Sequence, residues 1–215
     1  AVTEGRCYIQ DAASQLAAWA VGPEPGETVF DLCAAPGGKS FTMAQMMEDK
    51  GKLLAFDLHP SRVKLIADGA ARLGIHCITT AAGDAGVFNS ELGLADRVLC
   101  DVPCTGLGVI RRKPEIRRKT PEEIAGLPAV QARILDNAAR YLKPGGILVY
   151  STCSLNQDEN DRVAAAFLES HPDFAPSPLP PVFDGLAGPG SHTVTLSPLM
   201  GDFDGFYIAR FTKRV

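Results

Sequence analysis

Five strand-length apolar runs, separated by helix-like segments, constrain this chain more than any other feature. They are "TVFDLCA" (28–34), "KLLAFDL" (52–58), "IHCITTAAG" (75–83), "DRVLCDVP" (96–103) and "GILVYSTC" (146–153). Strand and helix patterns in alternation predict an α/β fold, a mostly parallel sheet covered on both faces. The segment after residue 34 reads as a helix to about Met47. In the next helix Pro60 stands near the start, and Val63, Ile66, Ala67, Ala70 and Leu73 lie at helical spacing. Gly74 falls just past its end. Thr120 and Glu123 form a capping box with Pro121 at the first helical position, and Pro128 breaks or kinks that helix. Asn156 reads as the cap of a further helix with acids in its first turn. Residues 172–200 read as proline- and glycine-rich loop with short strands, and "GFYIARFTK" (205–213) as the final strand. A helix around 8–21 is expected to pack against the sheet's edge.

With 215 residues, 46% of them hydrophobic, the chain can bury one good-sized core. The expectation is therefore one domain over 1–215, with 1–24 a helical lead-in. No apolar run approaches the ~18 residues of a membrane helix, and the first residues lack the charged-then-apolar design of a secretory signal. The six cysteines, at 7, 33, 77, 100, 104 and 153, contain no C-x-x-C pair, which fits a reducing cytoplasm. The four histidines (59, 76, 171, 192) have no ligand spacing, so no metal is assigned. Net charge is −4, yet "RRKPEIRRK" (111–119) carries +5 and the other 206 residues −9. A charge run alone is usually a solvated face. This one begins seven residues after Cys104, which makes Arg111, Arg112, Lys113, Arg117, Arg118 and Lys119 candidates for holding phosphates.

Ligands of such sheets bind beyond the carboxyl ends of the strands. Four ends here carry chemistry: "CAAPGGKS" from Cys33, Asp57, "GDA" (83–85) and "DVPC" from Asp101. "CAAPGGKS" nearly matches a phosphate-binding loop, but Cys33 replaces its first glycine. The stretch reads equally as a glycine turn, Gly37-Gly38, that lets backbone approach a nucleoside. Asp57 stands nineteen residues after Gly38, where a carboxylate can accept from both ribose hydroxyls. Acids at three strand ends suit a ligand with hydroxyls, an amino group and a cationic centre better than a triphosphate. S-adenosylmethionine has all of these.

In order, "DLCAAPGGKS", "DLHPSRV", "GDA", "DVPCTGLGVIRRKPEIR", "YSTCSLNQDEN" and "DGFYIARF" resemble the motifs of the RsmB/Sun (Fmu) family, bacterial methyltransferases that make 5-methylcytosine in small-subunit ribosomal RNA. The resemblance implies a class I S-adenosylmethionine-dependent methyltransferase fold, Rossmann-like, its seven-stranded sheet ending in an antiparallel strand. It implies a cofactor loop of Cys33, Ala34, Ala35, Pro36, Gly37, Gly38 and Lys39. Asp57 would hold the ribose, supported by Arg62, with Asp84 by the adenine and Asp101 facing both methyl donor and base. Val102 and Thr105 stand where the family often has alanine and serine. The family's usual N-terminal RNA-binding domain has no counterpart expected within 1–215. The implied partner is small-subunit ribosomal RNA, and the expected state a monomer.

The chemistry explains two thiols. Carbon 5 of cytosine is a poor nucleophile until a thiolate adds at carbon 6. By the resemblance Cys153 attacks, while Cys104, the cysteine after proline, aids elimination. Asp101 would accept from the cytosine amino group and its protonated ring nitrogen. The cap at Asn156 predicts that a helix start, three residues after Cys153, favours its thiolate. A nucleotide hydrolase built on "GGKS" and a non-catalytic RNA-binding relative are the competing readings.

Overall fold

In the computed structural model, which describes residues 1–215, every predicted run becomes a strand and the sheet gathers their carboxyl ends on one edge. The elements are α1 (Ala12–Val21), β1 (Thr28–Asp31), α2 (Gly38–Met46), β2 (Lys52–Asp57), α3 (Pro60–Leu73), β3 (Ile78–Ala82), β4 (Ala95–Asp101), α4 (Pro121–Ala125), α5 (Leu127–Ala139), β5 (Leu142–Thr152), α6 (Asp161–Ser170), β6 (Phe174–Pro176), β7 (Thr193–Leu196) and β8 (Phe206–Lys213). Strand order is β3-β2-β1-β4-β5-β8-β6, with β7 also on β8. The first five run parallel; β8 is antiparallel to β5. Because β5 occupies one side of β8, the other is shared: β7 pairs with Phe206–Ala209 and β6 with Phe211–Lys213. The expected seven positions are thus present, the outermost split into two short strands drawn from the 172–200 loop.

Pleating sends alternate residues to two cores. Leu99, Val149 and Ile208 join Met43 and Ile66 on one face; Val98, Cys100, Leu148 and Tyr150 join Leu135 and Phe167 on the other. Each fully buried aliphatic side chain contributes about 1.5–3 kcal/mol, so both faces hold the sheet rigid beneath its ligand edge.

Two expectations are corrected. Helix α1 lies on a sheet face, against α2 and across β4, β5 and β8, rather than on the edge. Its alanines 13, 17, 18 and 20 are fully buried, and such small side chains let the helix lie close. Helix α6 begins at Asp161, not near Asn156. The Asn156 carboxamide accepts from Asp158 N at 3.1 Å and so closes a turn, the local competition that asparagine offers to a helix. The capping box of α4 forms as expected, and the break before α5 falls at Gly126, with Pro128 in the first turn of α5.

Candidate active site

A cleft of about 550 Å³ opens at the carboxyl ends of the parallel strands. Of the predicted cofactor residues, Cys33, Ala35, Pro36, Asp57, Arg62, Asp84 and Asp101 line it. A neighbouring pocket of about 260 Å³ shares Leu32, Asp84 and Ala85 with it and is walled by Phe56, Val87, Leu92 and Tyr141. Ala34 is buried behind the loop. Gly37, the cap residue before α2, has φ 112°, and a side chain there would strike the Phe41 ring. Gly38 opens α2.

The acids are individually anchored. Asp57, nearly buried at the end of β2, accepts from His59 N at 3.2 Å and pairs with Arg62 at 3.3 Å. Arg62 also donates to the Ala35 carbonyl at 2.9 Å, tying the loop to the β2 end. Asp84 closes its own turn onto Gly86 N at 2.8 Å, with Arg133 of α5 at 3.9 Å. Asp31 is fully buried and accepts from Ser40 Oγ at 2.7 Å while its other oxygen has no partner. Burial, opposed by Ser40 and reinforced by Asp101, pushes its carboxyl up to about 7. Lys39 reaches Asp101 at 2.7 Å, and Ser151 Oγ donates to the other Asp101 oxygen at 2.8 Å. The lysine and serine that a phosphate loop would offer its ligand are therefore committed to acids.

The two cysteines, 49 residues apart in sequence, meet with Sγ···Sγ at 3.2 Å, both on the cleft. Their ionisation differs from that of Cys33, whose thiol is driven up first by burial and then by Asp31, Asp101 and Asp57. Cys153 is lowered below the ordinary thiol range because Cys104 donates to it. Burial and Asp101 work against this, and Lys39 and Lys113 add to it. Cys104 is raised by the same hydrogen bond and by burial. Of the two sulfurs, Cys153 is therefore the one that ionises first. The expected helix contribution is absent, since α6 starts eight residues beyond Cys153; the partner thiol and two lysines supply the stabilisation instead.

A buried knot surrounds the pair. Glu159, fully buried, accepts from Thr105 N (2.8 Å), Thr105 Oγ1 (2.5 Å), Ser154 Oγ (2.6 Å) and Gln131 Nε2 (3.0 Å). Gly108 N donates to the Cys153 carbonyl at 3.0 Å, and Gly205 packs so close that neither glycine can carry a side chain. Glu159 was hidden in the sequence among the acids read as a helix start; its burial has no local signature. Arg133 and Gln131 likewise carry no local signature.

The basic run divides. Arg111 pairs with Asp202 at 3.0 Å and buried Asp204 at 3.3 Å, and Arg112 with Asp204 and, at 3.6 Å, with Asp11. Lys119 donates to the carbonyl of Thr105 at 2.8 Å and, more weakly, of Cys104 at 3.4 Å. These three brace the site's own loops. Lys113 lines the cleft, and Arg117 and Arg118 are exposed.

The profile of the family described as 16S rRNA methyltransferase RsmB/F matches residues 18–212. A probable ribosomal RNA small subunit methyltransferase B from Bacillus subtilis is 49% identical over 80% of this chain and 39% of its own length. A probable ribosomal RNA small subunit methyltransferase B from Synechocystis is 40% identical over 98% and 48%. The crystal structure of NSun6 from Pyrococcus horikoshii with SFG superposes with a TM-score of 0.88 at 30% identity, covering 98% of this chain and 54% of that one. The chain thus spans less than half the length of these two curated relatives. It belongs to the RsmB/F family, and its fold is that of the Rossmann-like S-adenosylmethionine-dependent methyltransferases.

Proposed function

We propose that this member of the RsmB/F family is the catalytic domain of an S-adenosylmethionine-dependent cytosine-C5 methyltransferase acting on small-subunit ribosomal RNA, with Cys153 as nucleophile. The observation that carries this reading is the contact of Cys153 and Cys104 at 3.2 Å on a cleft rimmed by Asp57, Asp84 and Asp101. The residues present fit the methyl donor. Asp57 is fixed for ribose hydroxyls, the apolar pocket of about 260 Å³ suits a purine, and Asp101 on the cleft offers negative charge to a sulfonium. SFG, with which the Pyrococcus relative was solved, is an analogue of that donor.

When bound, the donor supplies an electrophilic methyl group. The chain's own residues do the rest. The Cys153 thiolate bonds to carbon 6 of a cytosine taken out of its stack, and the ring's electron pair moves toward carbon 5 and nitrogen 3. Asp101 can still accept there, since a carboxylate bonded to Lys39 and Ser151 keeps free lone pairs. The amino group and ring nitrogen 3, which takes a proton from solvent as the adduct forms and returns it when the adduct breaks down, both donate to it, which favours cytosine over uracil. Carbon 5 takes the methyl group. Cys104 then acts as base: adduct formation has consumed the anion that held its own proton, which passes to solvent, and the resulting Cys104 thiolate faces the carbon 5 proton. That proton goes to Cys104, and the electron pair expels Cys153 from carbon 6.

The nucleotide-hydrolase reading is disfavoured by Lys39 and Ser40, which engage Asp101 and Asp31. The test is incubation with tritiated donor and small-subunit RNA transcripts, with DNA and protein as controls. Label in RNA as 5-methylcytidine is expected. Label in DNA or protein, or on another RNA atom, would overturn the proposal.

A further inference from the structure

We propose that Glu159 is a positioning residue that holds the two sulfurs in register. This rests on the reading that the Cys104–Cys153 pair carries the reaction. The two cysteines follow the ends of different strands, β4 and β5, and no covalent link fixes one against the other. Glu159 spans them. One carboxylate oxygen takes the amide of Thr105, the residue after Cys104; the other takes the hydroxyl of Ser154, the residue after Cys153, and that of Thr105. Gln131 of α5 closes the knot, donating to Glu159 at 3.0 Å and to the carbonyl of Pro103, the residue before Cys104, also at 3.0 Å. Every donor to this buried carboxylate is neutral, so the group sits here without the compensation of a cation. A loop that needed only apolar filling would be better served by a methionine or leucine. The arrangement is explained if its function is to grip both neighbours at once. The Glu159 carboxylate touches neither sulfur and acts only through residues 105 and 154.

The sulfur contact reports on the grip, because the hydrogen bond between Cys104 and Cys153 is the largest of the influences that lower Cys153. The experiment is alkylation of Cys153 by iodoacetamide from pH 5 to 10, read by mass spectrometry on the folded protein without RNA or methyl donor, with thermal unfolding in parallel. In the native chain the half-point should fall below the ordinary thiol value. In Glu159→Ala it should move up toward about 8.5, with alkylation at pH 7 slowed about tenfold. Glu159→Gln keeps an oxygen for the Thr105 amide and an NH₂ for the two hydroxyls, so it should restore most of the native profile. If Glu159→Ala does not fold, Thr105→Val removes one arm of the grip and should shift the half-point in the same direction. A native half-point at or above 8.5 would overturn the thiolate reading beneath the proposal. A low native half-point that the tested variant leaves in place would overturn the role of Glu159 alone.

Discussion

The two sides of the cleft are built by opposite means. On the donor side, Asp57, Asp84 and the 33–39 loop each follow a strand end and are fixed by partners within a few residues or one loop away: His59 and Arg62, Gly86, Phe41. On the sulfur side most of the contacts join distant parts of the chain. Cys104 and Cys153 meet across two strands, Glu159 bridges their neighbours, and Asp101 takes Lys39 from α2 and Ser151 from β5. A binding rim tolerates independent parts, since each contributes a separate hydrogen bond. A shared proton between two sulfurs tolerates none, since it exists only at one separation.

That difference orders the expected effects. Cys153→Ser should break the sulfur side outright, lowering methyl transfer by about a thousandfold or more while donor binding by calorimetry stays within a few-fold of native. Cys104→Ala should slow turnover by roughly a hundredfold or more and leave a protein–RNA adduct on denaturing gels, because addition proceeds and elimination stalls. Asp57→Asn should act on the other side alone: donor affinity falls about ten- to a hundredfold, with the Cys153 alkylation profile unmoved. Arg117→Ala and Arg118→Ala should each weaken RNA binding a few-fold and reduce the salt slope by about one. Arg112→Ala should instead lower the unfolding temperature, since it strips a partner from buried Asp204.

Apart from both sides of the cleft stands a pH dependence of stability. The Asp31 carboxyl is raised to about 7 in the fold from 3.8. Between those values the folded state binds more protons than the unfolded chain, so this residue's contribution falls as pH rises from about 4 to 7. Asp31→Asn should flatten that part of a stability-versus-pH curve measured by urea unfolding.

Legibility in the sequence follows the same division. Strands β1, β2, β4 and β5 and the loop from Cys33 to Lys39 could be read because buried parallel strands are continuous apolar runs and their ends lie on one edge. The capping box at Thr120 was legible for the same reason: its partners are three residues apart. Asn156 misled because an asparagine caps a turn or a helix with the same chemistry, and the choice was made by Thr152 and Ser154, which engage Asn160. The ion pairs of the basic run were not legible because Asp202 and Asp204, which pair with Arg111 and Arg112, lie about ninety residues away. Motif resemblance nominated both thiols, but only the folded chain gives their separation and the stabilisation that Lys39 and Lys113 add.

The central claim, that Cys153 bonds transiently to cytosine carbon 6, has a direct measurement. RNA bearing 5-fluorocytidine at the target blocks elimination, because fluorine cannot leave as a proton. Incubated with enzyme and methyl donor, then digested, it should yield one peptide carrying the methylated nucleotide on Cys153. The same mass on Cys104, or no covalent peptide while unmodified RNA is methylated normally, would contradict the account.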